Sequence, residues 1–213
     1  MKAPAGLHMR PTLVEGVGPW MWREADHWGW EHPRREFRML RGAILAHTKQ
    51  TRVVIQAGGC LGMYPRLWSD SFETVYTFEP DPVNFYCLVA NCPSERIIKM
   101  QMALSDTCRF GALRTAPDFN AGYGHMTDEV GTIPMLRLDA MKFPAVDAIQ
   151  LDCERHETKV IAGALNTLIQ HRPVVAIEKP DAKARDLLSE IGYAEVERVG
   201  AMPDVVFAPN ERG

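Results

Sequence analysis

The sequence predicts an α/β protein: a seven-stranded, mostly parallel sheet with helices on both faces, closed by a C-terminal antiparallel hairpin and preceded by an N-terminal helical cap. Three observations lead there. From residue 52 onward short β-branched runs alternate with helical patterns, as parallel neighbours require. A glycine-rich turn, "GGCLG", directly follows the first run, and acids close the second and fourth, in "FEP" and "QLD". The first 50 residues differ in character, holding four of the five tryptophans, Trp20, Trp22, Trp28 and Trp30.

Taken in order, the cap ends in a helical pattern that sets Phe37, Leu40, Arg41, Ile44 and Leu45 on one side. The tryptophans are read as packing beneath that helix, with an aromatic substrate wall as the alternative. Residues 52–57, "RVVIQA", form the first strand, and Pro65 suits the first turn of a helix carrying Leu67 and Trp68. The second strand lies within 71–80 and ends at Pro80; Asp81 and Pro82 are then the N-cap and first residue of a helix through Leu88. Residues 97–104, 146–153 and 173–179 hold the third, fourth and fifth strands. Between the last two, "HETKVIAGALNTLIQ" places Val160, Ile161, Leu165, Leu168 and Ile169 on one face of a single helix. A further helix, "DAKARDLLSEIGY", stops at Gly192, and runs at 193–199 and 205–208, joined through Met202-Pro203, make the hairpin. Residues 107–137 carry Gly111, Pro117, Gly122, Gly124, Gly131 and Pro134 and are expected to be a long loop or hairpin insertion, a common seat of function. The domain reading is therefore a cap over 1–50 and one core domain over 51–213 with that insertion inside it.

Composition narrows the function. Hydrophobic residues at 46% and charged residues at 24% are ordinary for a globular chain. A net charge of -3 and a pI near 6.2 give no basic footprint, so nucleic acid is not an expected partner. No apolar run approaches the roughly 20 residues that span a bilayer, and "MKAPAGLHMRPTLVEG" lacks a signal-peptide centre, so no membrane association and a cytoplasmic setting are expected. Cys60, Cys87, Cys92, Cys108 and Cys153 form no short-spaced pairs and are read as free thiols. Cys153 and His156 stand three apart without a second ligand pair, so no metal is expected.

The chemistry-bearing residues cluster at strand ends, where the cleft of a parallel sheet lies. In Gln56-Ala57-Gly58-Gly59-Cys60-Leu61-Gly62 the glycines let the backbone turn sharply and approach a ligand, although the interval does not match GxGxxG. Glu79 closes the second strand, where an acid accepts both hydroxyls of an adenosine ribose; a helix cap is the alternative, for which Asp81 is better placed. Asp152, Glu154, His156 and Glu157 gather after the fourth strand, Glu157 being equally suited to the dipole of the next helix.

These segments together resemble the FkbM-type family of S-adenosylmethionine-dependent methyltransferases. The family's "DVGANIGYYS", "FEPHPENF", "ALSD" and "IKIDVEGAELEVLKGA" have counterparts in "IQAGGCLGMYP", "FEPDPVNF" (78–85), "ALSD" (103–106) and "IQLDCERHETKVIAGA" (149–164), followed by "RPVVAIE" and "IGY". Four motifs in one order, over roughly residues 52–209, are far more specific than the turn alone. The resemblance implies a Rossmann-like class I methyltransferase sandwich with S-adenosylmethionine as cofactor. Gln56, Ala57, Gly58, Gly59, Cys60 and Gly62 would surround its amino-acid part, Glu79 and Pro80 its ribose. Ala103, Leu104 and Ser105, with Asp106, would lie by the adenine, and Asp152 and Glu154 near the methyl group or acceptor.

Three departures stand out. Gln56 replaces the first-motif Asp, Cys60 the usual Asn, and Arg155 and His156 a Gly and a small residue. They fit an altered acceptor or a weakened enzyme. The expected activity is O-methylation of a small-molecule or glycan acceptor, with His156 as candidate base and Asp152 as the alternative. A non-catalytic binding module on the same fold is the competing reading, and a nicotinamide oxidoreductase is disfavoured by the missing GxGxxG. The acceptor would be shaped by residues 1–50 and 107–137, which the resemblance covers least.

Overall fold

The computed structural model describes residues 7–10, 20–23, 31–114, 121–200 and 204–210. Two short strands, β1 (Leu7–Arg10) and β2 (Trp20–Arg23), pair antiparallel ahead of helix α1 (Glu31–His47). The helix was expected; the strand pair was not. The side chains of Trp20 and Trp22, and Trp28, Trp30, Pro117 and Met202-Pro203 altogether, lie outside the described residues.

The main body follows as β3 (Val53–Ala57), α2 (Met63–Trp68), β4 (Thr74–Phe78), α3 (Pro82–Asn91) and β5 (Ile97–Met100). A smaller unit of β6 (Ala103–Leu104), β7 (Arg109–Arg114), β8 (His125–Thr127) and β9 (Ile133–Leu136) intervenes. The chain then completes β10 (Ala148–Leu151), α4 (Glu157–Ala162), α5 (Leu165–His171), β11 (Val174–Glu178), α6 (Ala182–Glu190), β12 (Tyr193–Val199) and β13 (Asp204–Pro209). The main sheet has seven strands in the order β12-β13-β11-β10-β3-β4-β5. Strands β5, β4, β3, β10 and β11 are parallel, while β13 runs antiparallel to both β11 and β12. The expected parallel sheet with a terminal hairpin is therefore present.

Alternation along each strand divides the core between the two faces. Ile55, Phe78, Ile149, Leu151 and Ile177 pack with Val160, Ile161, Leu168 and Leu188 of the helices after β10 and β11. Val54, Val75, Ala148, Val174 and Val206 pack against Phe37, Leu40, Ala43 and Ile44 of α1 and Trp68 of α2. Helix α1 thus shares one layer of the sandwich with α2. Each such aliphatic or aromatic side chain taken from water contributes about 2 kcal/mol.

Two elements differ from the expectation. The run 97–104 is broken, because β6 leaves the main sheet to pair with β9. The segment expected as one helix after His156 is two, α4 and α5, split at Gly163. A Cβ on Gly163 would stand 1.9 Å from the Ser105 carbonyl oxygen, so the glycine is demanded by a neighbour distant in sequence. Its own carbonyl accepts the Asp139 N–H at 3.0 Å, and the Asp139 carboxylate in turn caps α5 through the N–H groups of Asn166 and Thr167. The break rotates Ile169 outward, leaving it 49% exposed rather than on the buried face.

Other local signals hold. Asp81 Oδ1 accepts the N–H groups of Val83 and Asn84 at 2.7 and 3.0 Å, with Pro82 at the first helical position. Asp81→Ala is expected to cost about 1 kcal/mol, lowering Tm by roughly 2–4 °C in a thermal melt. Gly192, at φ +78°, ends α6 and donates to the Ser189 carbonyl.

Candidate active site

The sheet order reverses between β3 and β10: the chain proceeds outward through β4 and β5, then returns to build β10 and β11 on the other side. Ligand clefts form at such a switch point, beyond the carboxyl ends of the strands. A cavity of about 490 Å³ lies there, within the range that encloses a small organic ligand.

Its floor is the glycine turn. Gly58 adopts φ +88°, and a Cβ there would fall 1.8 Å from the Asp152 carbonyl oxygen, so the ends of β3 and β10 meet only because the side chain is missing. Gly58 and Gly59 both donate to the Phe78 carbonyl, at 3.0 and 2.9 Å. Gln56 lies beneath, fully buried: Nε2 donates to the Gly58 carbonyl at 2.8 Å, and Oε1 accepts the Thr77 hydroxyl at 2.5 Å. The side chain expected to touch a cofactor instead pins the turn from below, away from the cavity wall. Gly62, at φ +90°, begins α2 and donates to the Gly59 carbonyl at 2.8 Å, also behind the wall.

Glu79 sits at the tip of β4 and is 5% exposed. Its Oε2 accepts the Cys60 N–H at 2.6 Å and its Oε1 the Asp81 N–H at 2.8 Å, tying the glycine turn to the start of α3. Burial pushes this carboxyl up to about 7, against the pull of those two N–H groups and of a hydrogen bond from the Asn84 side chain. Ala57, Gly58, Gly59 and Cys60 line the cavity, as do Glu79, Pro80, Ala103 and Leu104. Ser105 is wholly buried and reaches the site only through His156, whose Nε2 lies 3.1 Å from its Oγ.

The opposite wall comes from the ends of β10 and β11, whose register brings Asp152 beside Glu178. Burial, followed by the charge of Glu178 and a hydrogen bond to it, holds Asp152 protonated well above the usual carboxylate range. Burial also pushes Glu178 upward, but the bond from Asp152 and the Lys179 ammonium at 2.6 Å outweigh it and keep Glu178 ionised. Glu154 is raised by burial and then by Glu178. Oxygens of Asp152, Glu154 and Glu178 come within 4.8 Å of one another, a grouping of the kind a cation could use, although no metal was expected from sequence spacing. Cys153 and His156 belong to no such group among the described residues.

His156 is 5% exposed, and its imidazole is lowered to about 4, by burial first and then by Lys159. Glu157, the first residue of α4, reaches back to accept the Cys153 N–H at 2.7 Å and so secures the turn after β10. Within that turn Glu154 and Arg155 have φ of +48° and +72°, while Cys60 and Lys179 both have +45°. Left-handed backbone at non-glycine residues costs on the order of 1–3 kcal/mol each, and here it concentrates around one cavity.

The cavity also contains residues that the sequence did not single out. Leu113, Tyr123 and Met126 enter from the antiparallel β7–β8 pair, and Glu178 and Lys179 from the end of β11. Glu178 carried a usable sign, being an acid at the carboxyl end of a parallel strand. Tyr123 carried only its setting between two glycines.

No family model and no curated protein matches the sequence. Solved structures match the architecture, among them methyltransferase FkbM from Methylobacillus flagellatus KT, at 17% identity and a TM-score of 0.50 over 74% of this chain. The fold is the Rossmann-like methyltransferase fold. This chain spans 43% of that FkbM chain. M. jannaschii TYW2, solved in complex with AdoMet, aligns with 98% of this chain and 89% of its own at 11% identity and a TM-score of 0.51. A ribosomal protein L11 methylase from Lactobacillus delbrueckii subsp. bulgaricus aligns over 82% and 78%, at 10% identity and a TM-score of 0.52. Within this fold, Glu79 follows β4 and Asp152 follows β10.

Proposed function

We propose that the chain is an S-adenosylmethionine-dependent methyltransferase that acts on a hydroxyl of a small-molecule or glycan acceptor. The observation that carries this is the carboxylate-rich cavity at the switch point, anchored by Glu79. Glu79, Asp81, Asp152, Glu154, Glu157 and Glu178 line it, with Arg155 and Lys179 as the basic lining residues. With Glu178 kept ionised and the carboxyl oxygens of its neighbours turned to the same space, such a wall suits a sulfonium or ammonium cation better than a phosphate chain, which argues for the cofactor and against a nucleic-acid acceptor.

The residues fit the group. Glu79 accepts two backbone N–H groups and a hydrogen bond from the Asn84 side chain, so of its roughly four lone-pair sites one is left for a ribose hydroxyl. Ala103 and Leu104 offer an apolar surface to a base beside it. When bound, the cofactor supplies an electrophilic methyl for in-line displacement.

What remains for the protein is to place the acceptor and handle its proton. A carboxyl already protonated cannot accept another proton, so Asp152, with Glu178, orients the acceptor by hydrogen bonding. His156, neutral near pH 7, is the base, and Glu154 lines the same wall as a polar contact for the acceptor. Leu113, Tyr123 and Met126 give the acceptor pocket an apolar side suited to the face of a sugar ring or a hydrophobic small molecule. The competing reading, a binding module without turnover, was motivated by Gln56 and Arg155. Gln56 spends its amide on the turn, and Arg155 lines the cavity from an exposed position, so a cavity of about 490 Å³ persists with both changes in place.

Calorimetric titration with S-adenosylmethionine and S-adenosylhomocysteine, with NAD as control, tests the proposal. Dissociation constants on the order of micromolar for the first two are expected. Absence of binding would overturn the cofactor assignment, while binding without turnover across hydroxylated acceptors would favour the binding module.

A further inference from the structure

His156 has a second connection that leads away from the cavity. Its Nε2 lies 3.1 Å from Ser105 Oγ, and Ser105 Oγ donates to Asp106 Oδ1 at 3.2 Å. The three residues form a graded path: His156 lines the cavity, Ser105 is fully buried, and Asp106 is exposed. A hydroxyl has one proton. If Ser105 gives its proton to Asp106, it can only accept from His156, so Nε2 carries the ring hydrogen and Nδ1 carries the lone pair. No hydrogen bond to Nδ1 from a described residue accompanies this pair.

The remaining structure fixes the path in place. Ser105 N–H donates to the Leu136 carbonyl at 2.9 Å, joining β6 to the end of β9. Gly163 presses against the Ser105 backbone from the far side, leaving no space for a Cβ. The segment that breaks the long helix into α4 and α5 therefore also seats Ser105 under His156.

We propose that Ser105 and Asp106 are positioning residues that hold His156 in the Nε2–H tautomer and carry the proton it collects from the cavity out to solvent. The inference rests on the hydroxyl-methylating reading for its role in turnover, but the tautomer itself does not depend on it. As the new C–O bond forms, the acceptor O–H bond breaks and its proton passes to Nδ1. The imidazolium releases its Nε2 proton to Ser105 Oγ, Ser105 passes its own proton to the Asp106 carboxylate, and water removes it there. After product leaves, Nδ1 returns its proton to water and Nε2 regains one along the same path, so one proton reaches solvent per methyl transferred.

The charged groups around the ring are consistent with such a transit. Lys159 of α4 and Arg109 of β7 disfavour a resident imidazolium, while Asp106 and Asp128 favour it; burial and the cations prevail. A proton arriving on the ring is therefore passed on rather than retained.

The experiment is nitrogen-15 NMR of the histidine rings in the ligand-free protein, with His156 assigned by the signals lost in His156→Gln. Wild type is expected to show a neutral Nε2–H ring down to about pH 5. Asp106→Ala frees the Ser105 proton to point at the ring and is expected to yield a mixture of tautomers, whereas Asp106→Asn, which retains an acceptor oxygen, preserves the wild-type form. An Nδ1–H ring in wild type, or spectra unchanged in Asp106→Ala, would overturn the proposal. Failure of cofactor binding in calorimetry would remove the methyltransferase reading while leaving this measurement decisive for the tautomer. Where turnover is available, Asp106→Ala is expected to lower kcat by about 10- to 100-fold with KM unchanged; an equal loss appearing in KM alone would overturn the relay.

Discussion

Gly58→Ala is expected to abolish cofactor binding and to lower Tm by about 8–16 °C, corresponding to a loss of roughly 4 kcal/mol or more. Two independent costs combine. The residue sits at φ +88°, where an alanine is strained, and the new Cβ would be 1.8 Å from the Asp152 carbonyl oxygen, a backbone atom that no side-chain rotation can move. Relief requires β3 and β10 to separate at the switch point, carrying Asp152 away from Glu79. Thermal unfolding followed by circular dichroism, with calorimetry on the surviving folded fraction, reads both effects. A variant that melts within about 2 °C of wild type would mean that the two strand ends do not meet as described.

Affinity for S-adenosylmethionine is expected to fall as pH is lowered through 7, by up to tenfold for each pH step below that value. The responsible group is Glu79, whose carboxyl is raised to about 7 by burial. Above that pH it is ionised and can accept a ribose hydroxyl beside its three existing donors; below it, one oxygen becomes a donor and the negative charge is lost. The sign for folding is opposite. A carboxyl with a folded pKa above its unfolded value favours the native state most at low pH, and that contribution declines as pH rises through 7. The group is thus kept at a stability cost in the pH range where it binds best. Glu79→Ala should reduce affinity by more than about 100-fold and flatten the pH dependence, because both the carboxylate and its tie between Cys60 and Asp81 disappear. Retained pH dependence in this variant would transfer the effect to the Asp152–Glu178 pair.

The strands were legible because their sequences carry their burial. "RVVIQA" and "PVVAIE" are β-branched through runs that the sheet covers on both faces, and the fold exposes little of β3 or β11. Capping at Asp81 was legible for a similar reason, since the two N–H groups it caps lie within three residues. The helix break was not. Gly163 is tolerable inside a helical pattern, and what demands it is Ser105, a residue nearly sixty positions earlier that only the folded chain brings alongside. Gln56 was read from its place in a motif as a contact to the cofactor, yet strand alternation turns it into the α1 face, where Thr77 and the Gly58 carbonyl use its amide. Glu178 escaped notice because its partnership with Asp152 is made by the register of β10 and β11, and linear spacing carries no trace of register.

The β6–β9 unit leaves the main sheet after β5 and rejoins it before β10, and its base is clamped by the Ser105–Leu136 and Asp139–Gly163 main-chain bonds. Among the described residues it faces the cavity twice, through Ala103 and Leu104 of β6 and through the inner surface of the β7–β8 hairpin, Leu113, Tyr123 and Met126. Evolution can therefore rewrite that inner surface as a separate cassette. Descendants of one such chain can diverge in diet while inheriting the same strand ends, because the clamp isolates the main sheet from whatever the hairpin learns to hold.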